Sequence, residues 1–403
     1  MCSDYYPPYH IGGACLHVEH LAKELAKMGH EVHVLYSLDA YRVKKRSYEA
    51  KRETMDATGL VNTHTIRTPA SSSAFAAYLI GSSFQVIRKF RSLVKTIAPD
   101  VVNHHNIALL GYKILERIGA YVNLYTAHDF WLICQNGVLF RDWKAICESR
   151  GGQRLAKECV GCALRCHRPP QIWRRNQKLG SAARGVDCVL VPSQYMRVRL
   201  LGSTQLDRVA VLPFFVPEPP EDATGDSAFS DFFLYAGRLE IYKGILELID
   251  LVSKTEHRLL IVGDGPLRRE VTSILKRKGL SKRIMFLGHA DRVSLYRLLR
   301  DANALIIPST CAENSPLVAL EALSVGTPVI ASNQGGLPEI VGKIDKDLLF
   351  GSFDQLNRTM GWFKRDKYSS NAIRGIYEKY YSPQSYVKAY GNVIDDADHH
   401  PRG

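Results

Sequence analysis

Short apolar runs alternate with amphipathic stretches along most of the chain. In the first half, runs typical of buried strands occupy residues 31–36, 101–103, 122–126 and 188–191. The helical patterns between them cover about 14–29, 74–97 and 109–119. The second half has strand-like runs at 232–235, 258–262, 284–287, 304–307 and 329–331. Because alternating strands and helices build parallel sheets covered on both faces, we predict the α/β class with two doubly wound domains.

The chain length and a linker-like segment divide the sequence into domains. A chain of 403 residues exceeds one ordinary core, and residues 213–230, rich in proline and acidic side chains, are typical of a linker. We predict an N-terminal domain over 1–215, with an insertion at about 130–175, and a second domain over 216–382 across a cleft. Such a sheet normally starts with a strand leading into the first glycine loop, yet little sequence precedes Tyr5. Either the first strand is very short, or the start of the sequence has been assigned too late and the strand is missing from it. We favour the second explanation, in which this strand is absent.

Composition excludes several classes of protein. The hydrophobic content of 46% and the 18 prolines describe a globular chain, not a disordered one. We find no apolar run of membrane-spanning length and no signal peptide, so we expect a cytoplasmic protein. Residues 1–217 carry 29 Lys+Arg against 16 Asp+Glu, which accounts for the whole excess of +13. No nucleic-acid motif accompanies this charge. A peripheral contact with an anionic membrane at its inner face, a phosphorylated lipid acceptor, or ordinary solvated helix faces would each explain it.

The stretch 308–323 follows a buried strand and predicts an anion site. Ser315 is a good N-cap and Pro316 suits the first helical position, so we expect a helix to start there. The amides near Leu317 and Val318, with the positive end of the helix dipole, would bind an anion at the carboxyl end of the strand.

Two carboxylates flank this predicted anion site. Glu313 lies in the loop before the helix and Glu321 in its second turn. Carboxylates are unfavourable beside phosphate unless they face other groups, and hydroxyls are the natural candidates. A ligand with phosphate in the middle and polyols on either side fits this arrangement, which indicates a nucleotide sugar. A capped helix with an incidental pair of glutamates is the alternative.

Glycine-containing turns follow other predicted strands. Arg238 and Lys243 lie in one such turn. The planar guanidinium of arginine and the compact charge of the lysine ammonium both suit the binding of a diphosphate. The tight turn 263–266 would frame a nucleobase through its backbone, with 286–289 beside it. Near the N-terminus, Gly12 and Gly13 run directly into a predicted helix, where backbone can approach a ligand closely.

The predicted insertion contains a concentration of cysteines. Cys159 and Cys162 have the two-residue spacing of a zinc knuckle, and Cys147 and Cys166 would complete a tetrahedral site; Cys134 lies nearby. An iron–sulfur cluster is the alternative occupant, and buried, inert thiols are the alternative to any metal. Such a metal would be structural, because no open position for chemistry is visible.

Together these motifs resemble family-four retaining glycosyltransferases of the GT-B architecture, with two Rossmann-like domains. The resemblance spans residues 5 to about 345. It is carried by the Tyr-Tyr-Pro-Pro…Gly-Gly loop, the pair His128-Asp129, the G-R-x4-K-G turn, the G-D-G-P and F-L-G turns, the spaced glutamates and the segment 335–339. In similar proteins a C-terminal helix, here 383–403, crosses back to the first domain.

The resemblance implies roles for individual residues. Arg238 and Lys243 would hold the donor diphosphate, Glu313 the sugar hydroxyls and Glu321 the ribose, with His128 near the sugar. The implied catalytic set is Arg238, Lys243, Glu313 and His128. The implied donor-binding set is Gly12, Gly13, Gly263, Asp264, Gly265, Leu287, Asn314, Ser315, Leu317, Val318 and Glu321.

The resemblance also implies a reaction. A sugar would move from a nucleoside diphosphate to a glycan or lipid-linked acceptor, in polysaccharide or glycolipid biosynthesis. The anomeric configuration would be retained without a covalent intermediate, and no catalytic metal or other cofactor would be needed. A nucleotide-sugar 2-epimerase and a non-catalytic nucleotide-sugar-binding protein are the alternatives. No nucleic-acid partner is expected.

Overall fold

The computed structural model describes residues 1–9, 11–45, 59–119, 121–148, 157–176, 178–280 and 282–399. The chain forms two compact units. Unit 1 comprises Met1–Asp142, Cys147–Pro213 and Tyr386–Gly403, and unit 2 comprises Trp143–Ile146 and Phe214–Ser385. Of the predicted insertion, residues 149–156 lie outside the described residues, as do residues 400–403 of the predicted C-terminal segment.

Unit 1 is built on a parallel sheet with helices between its strands. The strands are β1 (Cys2–Ser3), β2 (His33–Ser37), β3 (Asn62–Ile66), β4 (Val101–His104), β5 (Val122–Thr126), β8 (Cys188–Val191) and β9 (Val209–Val211), with the short strand β6 (Phe140–Arg141) in the insertion. The short strand β7 (Ala145–Ile146), also in the insertion, belongs to unit 2. The helices are α1 (Gly13–Lys27), α2 (Leu38–Lys45), α3 (Ser72–Ile80), α4 (Phe84–Ile97), α5 (Lys157–Arg165), α6 (Lys178–Ala183) and α7 (Gln194–Leu201). The sheet order is β3-β2-β1-β4-β5-β8-β9.

The first strand is present, so the expectation that it is absent was wrong. β1 has two residues and lies between β2 and β4, with Cys2 in register with Leu35 and His104. The Leu35 N–H donates to the Met1 carbonyl at 2.9 Å, and the His105 N–H donates to the Cys2 carbonyl at 2.8 Å. A strand this short persists because both neighbours supply hydrogen bonds to it.

Two helix predictions in unit 1 also need correction. The predicted helix at 74–97 is two helices, α3 and α4, separated at Gly81, whose φ is +81°. A Cβ at Gly81 would lie 2.5 Å from the Tyr112 ring, so the chain turns there on a glycine. The predicted helix at 109–119 contains only the 3₁₀ turn Tyr112–Leu115. The polar edge strand β3 carried too weak an apolar pattern to be predicted. The three-residue β9 was also missed, although it lies in an apolar run (209–216) that Pro213 interrupts.

Unit 2 contains a six-stranded parallel sheet of order β12-β11-β10-β13-β14-β15. Its strands are β10 (Phe233–Ala236), β11 (Leu259–Val262), β12 (Ile284–Gly288), β13 (Ala304–Ile307), β14 (Val329–Ser332) and β15 (Leu349–Phe350). Its helices are α8 (Ile245–Ser253), α9 (Arg268–Arg277), α10 (Arg292–Asp301), α11 (Leu317–Ser324), α12 (Leu337–Val341), α13 (Phe353–Trp362) and α14 (Ser370–Tyr380). The central strands are buried throughout, as expected for a sheet covered on both faces. The five predicted strands are present, and β15 was not predicted.

The last helix, α15 (Pro383–His399), contributes its residues from Tyr386 onward to unit 1. The Asn103 side-chain amide on β4 donates to the Tyr390 hydroxyl at 3.0 Å. The Thr126 hydroxyl on β5 donates to the side-chain oxygen Oδ1 of Asn103, also at 3.0 Å. These groups are buried, so the network joins α15 to the sheet at two of its strands. None of the helices in the described part of the chain has the length and apolar character needed to cross a membrane.

We expect Tyr390→Phe to destabilise the fold by about 1–3 kcal/mol, because it leaves the buried Asn103 amide without its acceptor. Urea unfolding followed by circular dichroism measures this change. The control is Tyr380→Phe, since Tyr380 is 42% exposed. Equal unfolding midpoints for the two variants would contradict the proposed importance of the network.

Candidate active site

The turns after β10, β11 and β12 lie directly against one another. The Gly237 N–H donates to the Val262 carbonyl at 3.0 Å, and the Gly263 N–H donates to the Gly288 carbonyl at 2.7 Å. A Cβ at Gly263 would lie 1.8 Å from the Gly237 carbonyl oxygen, and φ there is +139°. Only glycine permits this approach, so the predicted turns meet at one edge of the sheet.

A second close approach holds the loop that follows β13. A Cβ at Gly335 would lie 2.1 Å from the Glu313 carbonyl oxygen. The Gly336 N–H donates to that same oxygen at 2.7 Å. The loop after β14 therefore fixes the backbone of Glu313.

The side chains of Lys243 and Glu313 form an ion pair. Lys243 Nζ lies 2.5 Å from Glu313 Oε1, and the Ser309 hydroxyl donates to the same oxygen. The Glu313 side chain is only 10% exposed. Burial alone would lower the pKa of Lys243, but the charge of the adjacent Glu313 carboxylate and its hydrogen bond to Lys243 outweigh it and raise that pKa above its usual value. Lys243 therefore stays charged beside a well-oriented carboxylate.

Arg238 is likewise paired with a carboxylate. Its Nη2 lies 2.6 Å from Glu240 Oε1. The buried Tyr235 hydroxyl donates to the Arg238 carbonyl at 2.8 Å. Burial raises the pKa of Tyr235, which also experiences the charges of Lys243, Glu313 and Glu240. The structure therefore brings together Arg238, Lys243 and Glu313, three of the four residues predicted to be catalytic.

Glu321 occupies a separate environment on α11. Burial raises its pKa to about 7, partly offset by the charge of Arg292. Its carboxylate in turn raises the pKa of the buried Tyr296 of α10, for which burial is the larger cause. Two residues of α10, Arg292 and Tyr296, therefore interact electrostatically with Glu321.

The start of α11 differs from the prediction by one residue. Ser315 was expected as N-cap, but Pro316 occupies that position with an extended ψ of 122°. The helix therefore begins at Leu317, and Val318 is its second residue, because the backbone of Pro316 is extended and not helical. The Ser315 hydroxyl is buried and has no hydrogen-bond partner among the described residues. Asn314 precedes it in the same loop.

The remaining predicted contacts of unit 2 lie along β11, β12 and α9. Asp264 Oδ1 accepts the Gly265 N–H at 2.8 Å, and Asp264 Oδ2 lies 3.0 Å from Arg268 Nη1. The Arg268 guanidinium lies 5.7 Å from the centre of the Phe286 ring. Leu287 is 38% exposed, so an apolar contact is available at this edge.

In unit 1, the predicted glycine pair forms the start of α1. Gly12 is the N-cap, with φ +79°, and Gly13 is the first helical residue. The Cys15 thiol donates to the Gly12 carbonyl at 2.9 Å. The positive φ explains why glycine stands at position 12.

His128 belongs to a buried histidine cluster that the sequence did not reveal. His17 of α1, His105 after β4 and His128 after β5 have ligand atoms within 4.8 Å of one another. His105 Nδ1 and His128 Nε2 are 3.0 Å apart. Burial lowers the pKa of His128 to about 3 and also lowers the pKa of His17 and His105, so the cluster is neutral. His105 directly follows β4, and Ser309 lies two residues after β13; their positions at the carboxyl ends of strands are the signal that could have identified these two residues, which the sequence analysis missed.

Comparisons with known proteins place the chain in a family. Residues 11–217 match the family model Glycosyltransferase Family 4, and residues 226–378 match the model Glycosyl transferases group 1. The chain belongs to glycosyltransferase family 4. An uncharacterized glycosyltransferase of Methanocaldococcus jannaschii is 32% identical to this glycosyltransferase over 346 residues, which cover 85% of this chain and 80% of the relative. A glycogen synthase of Mycobacterium tuberculosis is 25% identical over 367 residues, which cover 85% of this chain and 79% of the relative.

Solved structures confirm the GT-B fold of this glycosyltransferase. Sucrose-phosphate synthase from Thermosynechococcus elongatus superposes with a TM-score of 0.71 at 18% identity, covering 97% of this chain and 94% of that one. Anabaena HepE, crystallised with UDP and glucose, gives a TM-score of 0.63 at 16% identity, with 98% of both chains covered. The predicted family and fold class are therefore confirmed, whereas the individual site residues stay predictions.

We expect His128→Gln to reduce the pH dependence of stability. The folded-state pKa of His128 is about 3 against an ordinary value of 6.5. Between pH 6.5 and pH 3, His128 therefore binds a proton in the unfolded chain but not in the folded chain. Its contribution to the free energy of unfolding is fully present above pH 6.5 and is lost as the pH falls. Between pH 7 and pH 5 this amounts to about 2 kcal/mol, which the variant would no longer lose.

Urea unfolding at the two pH values measures this difference. Comparing wild type with variant cancels the opposite contribution of buried carboxyls such as Asp4, whose pKa burial raises to about 8. His30→Gln, at an exposed position, serves as the control and should retain the wild-type pH dependence. Identical pH dependence of His128→Gln and wild type would show that His128 is not held neutral.

Proposed function

We propose that this glycosyltransferase moves a sugar from a nucleoside diphosphate to a glycan or lipid-linked acceptor with retention of configuration. The observation that carries the proposal is the ion pair between Lys243 and Glu313 at the carboxyl ends of the unit 2 strands. Ligands of open parallel sheets bind at such ends. The proposal assigns the cation to the phosphates and the carboxylate to the sugar.

The hydrogen-bonding capacity of these side chains supports that division. An ammonium group has three donors, and Lys243 uses one of them on Glu313. Arg238 has five donors and directs one to Glu240. Lys243 and Ser309 both donate to Glu313 Oε1, which leaves Oε2 as the acceptor for a sugar hydroxyl. One set of residues therefore accommodates both parts of a nucleotide sugar.

The donor class has further support. HepE, which shares the fold, was crystallised with UDP and with UDP-glucose. In our proposal Glu321 accepts hydrogen bonds from the ribose, and the buried Ser315 hydroxyl binds a donor oxygen. Asn314 and the first amides of α11 complete the contact, with Gly263, Asp264, Gly265 and Leu287 near the base.

Retention without a covalent intermediate agrees with the environment of Glu313. Its carboxylate is already engaged by Lys243 and Ser309, which suits recognition more than nucleophilic attack. Charge stabilisation of the departing diphosphate by Arg238 and Lys243 would supply most of the rate acceleration. In this mechanism the cations replace a catalytic metal.

We further propose that unit 1 contacts an anionic lipid surface, a source of lipid-linked acceptors. Helices α3 and α4 expose the large apolar side chains Phe75, Leu79, Ile80 and Phe84, the last at 73% exposure. Exposed basic side chains follow on α4 at Arg88, Lys89, Arg91 and Lys95. Apolar side chains beside cations complement the interface of an anionic bilayer.

Purified protein incubated with UDP- and GDP-sugars and candidate acceptors tests transfer. We expect Lys243→Ala to reduce kcat by about 10²–10³-fold, because it removes charge stabilisation of the leaving group. Glu313→Gln should mainly impair the use of the donor sugar. Lys254→Ala, which breaks an exposed ion pair with Asp250, is the matched control and should retain activity.

Two outcomes would refute the assignment. Formation of a 2-epimer of the donor without acceptor would establish an epimerase instead. Wild-type activity in the combined Lys243→Ala and Glu313→Ala variant would exclude these residues from the site.

Co-sedimentation with phosphatidylglycerol vesicles tests the lipid contact. The double variant Ile80→Ser, Phe84→Ser should weaken binding by at least roughly tenfold, because two apolar side chains no longer enter the interface. Raised salt should also weaken it. Val198→Ser, at a 60% exposed apolar position on α7, is the control. Equal binding of the double variant and this control would refute the proposed surface.

A further inference from the structure

The cysteine-rich insertion contributes residues to unit 2 as well as to unit 1. Among the described residues, the histidine cluster alone brings three possible metal ligands within 4.8 Å of one another, so no three of the predicted ligands Cys147, Cys159, Cys162 and Cys166 lie that close. The metal site of the insertion therefore stays a prediction. The segment Trp143–Ile146 of the insertion, by contrast, belongs to unit 2 and makes a defined aromatic contact there.

Trp143 stacks on Tyr242 within unit 2. The two ring centres are 5.5 Å apart, and the ring planes are inclined by 15°. Tyr242 is buried and Trp143 is half-buried, so the tryptophan covers one face of the tyrosine ring. Stacked aromatic rings attract each other beyond the effect of their burial. The contact therefore joins the insertion to the turn that contains Tyr242.

The backbone of Trp143 adopts an unfavourable conformation. Its φ is +59°, in the left-handed region that bulky side chains rarely occupy. Such a conformation persists only where surrounding contacts offset its cost, and it occurs preferentially at functional sites. The stacking on Tyr242 is one contact that offsets this cost. The strain at Trp143 therefore indicates that the position of its side chain has a use.

Tyr242 connects the two loops that form the candidate site. It directly precedes Lys243 in the 3₁₀ turn Ile241–Lys243. Its carbonyl accepts the Thr310 N–H at 3.0 Å and the Thr310 hydroxyl at 3.2 Å. Thr310 lies in the loop that leads to Glu313. A displacement of Tyr242 would therefore shift Lys243 and loosen the loop that carries Glu313.

The turn that carries Lys243 is held on both sides of this lysine. After it, Gly244 lies against the Pro308 carbonyl oxygen, which a Cβ would reach at 2.0 Å. Before it, the Tyr242 ring is the anchoring group, and the centre of this ring is 5.9 Å from Lys243 Nζ. Ile241, at the start of the turn, is 48% exposed and provides little packing. The stacking of Trp143 therefore acts on the side of the turn that the contact of Gly244 does not fix.

We propose that Trp143 is a positioning residue: by stacking on Tyr242, it holds Lys243 where the ammonium group meets the diphosphate of the donor. The inference rests on the proposed function, which assigns the diphosphate to Lys243. Trp143 acts through Lys243 and does not itself contact the donor. Because a misplacement of about 1 Å can cost about a hundredfold in rate, the insertion becomes necessary for efficient transfer.

A double-mutant cycle of Trp143→Ala and Lys243→Ala tests this role. We expect Trp143→Ala to lower kcat by about tenfold or more, and Trp143→Phe, which keeps an aromatic ring, to recover most of the loss. In the Lys243→Ala background, Trp143→Ala should change kcat by less than about twofold, because its effect passes through Lys243. Trp362→Ala, at a 41% exposed position of unit 2, is the matched control and should keep the wild-type kcat. Circular dichroism establishes that each variant is folded, and Trp143→Leu takes the place of Trp143→Ala if the latter does not fold.

Calorimetric binding of UDP and GDP needs no acceptor and therefore separates this inference from the proposed reaction. We expect Trp143→Ala to weaken the binding of the nucleoside diphosphate by about tenfold where Lys243 is present, since a charge-assisted hydrogen bond is lost. This result supports the positioning role even if wild type forms no transfer product, an outcome that would contradict only the proposed function.

Three results would overturn the positioning role. An equal loss with and without Lys243 would show that Trp143 stabilises the fold or touches the ligand itself. Wild-type kcat and affinity in Trp143→Ala would show that the stacking has no influence on Lys243. Wild type that binds neither UDP nor GDP would contradict both the positioning role and the proposed function.

Discussion

The candidate site depends on close backbone contacts between turns that are distant in sequence. Gly263 approaches the carbonyl of Gly237, and Gly335 approaches the carbonyl of Glu313, at distances that a Cβ would occupy. These contacts bring the loops after four strands of the unit 2 sheet to one edge. Gly244 likewise approaches the Pro308 carbonyl oxygen, which a Cβ would reach at 2.0 Å, so the turn that carries Lys243 lies against the loop that carries Glu313. The chemistry of Lys243 and Glu313 is thus set by residues that have no side chains.

Much of the fold was predictable, because buried parallel strands appear in the sequence as uninterrupted apolar runs. The five predicted strands of unit 2 and four of the strands of unit 1 are present. Elements that lack such runs were missed, including β1 with two residues and the polar edge strand β3. The helix predicted at 109–119 failed since its apolar residues are buried by tertiary packing in irregular backbone, without a helical period.

The candidate site was predictable in its residue types and less so in its pairings. Lys243 and Arg238 follow strand ends with glycines beside them, which sequence can reveal. Their direct pairing with Glu313 and Glu240 could not be foreseen, because it depends on side-chain directions in folded loops. The histidine cluster assembles residues 17, 105 and 128, and no local pattern connects positions so far apart.

The pairing of both cations with carboxylates has a consequence for selectivity among cellular anions. Lys243 and Arg238 each have a neutralising carboxylate partner within the protein. A simple anion such as inorganic phosphate therefore meets little net positive charge and also encounters the repulsion of Glu313. For the proposed donor, hydroxyl groups bind the carboxylates while phosphates bind the cations. Discrimination against free phosphate would then follow from the balance of charge together with the hydroxyl groups that only the sugar donor supplies.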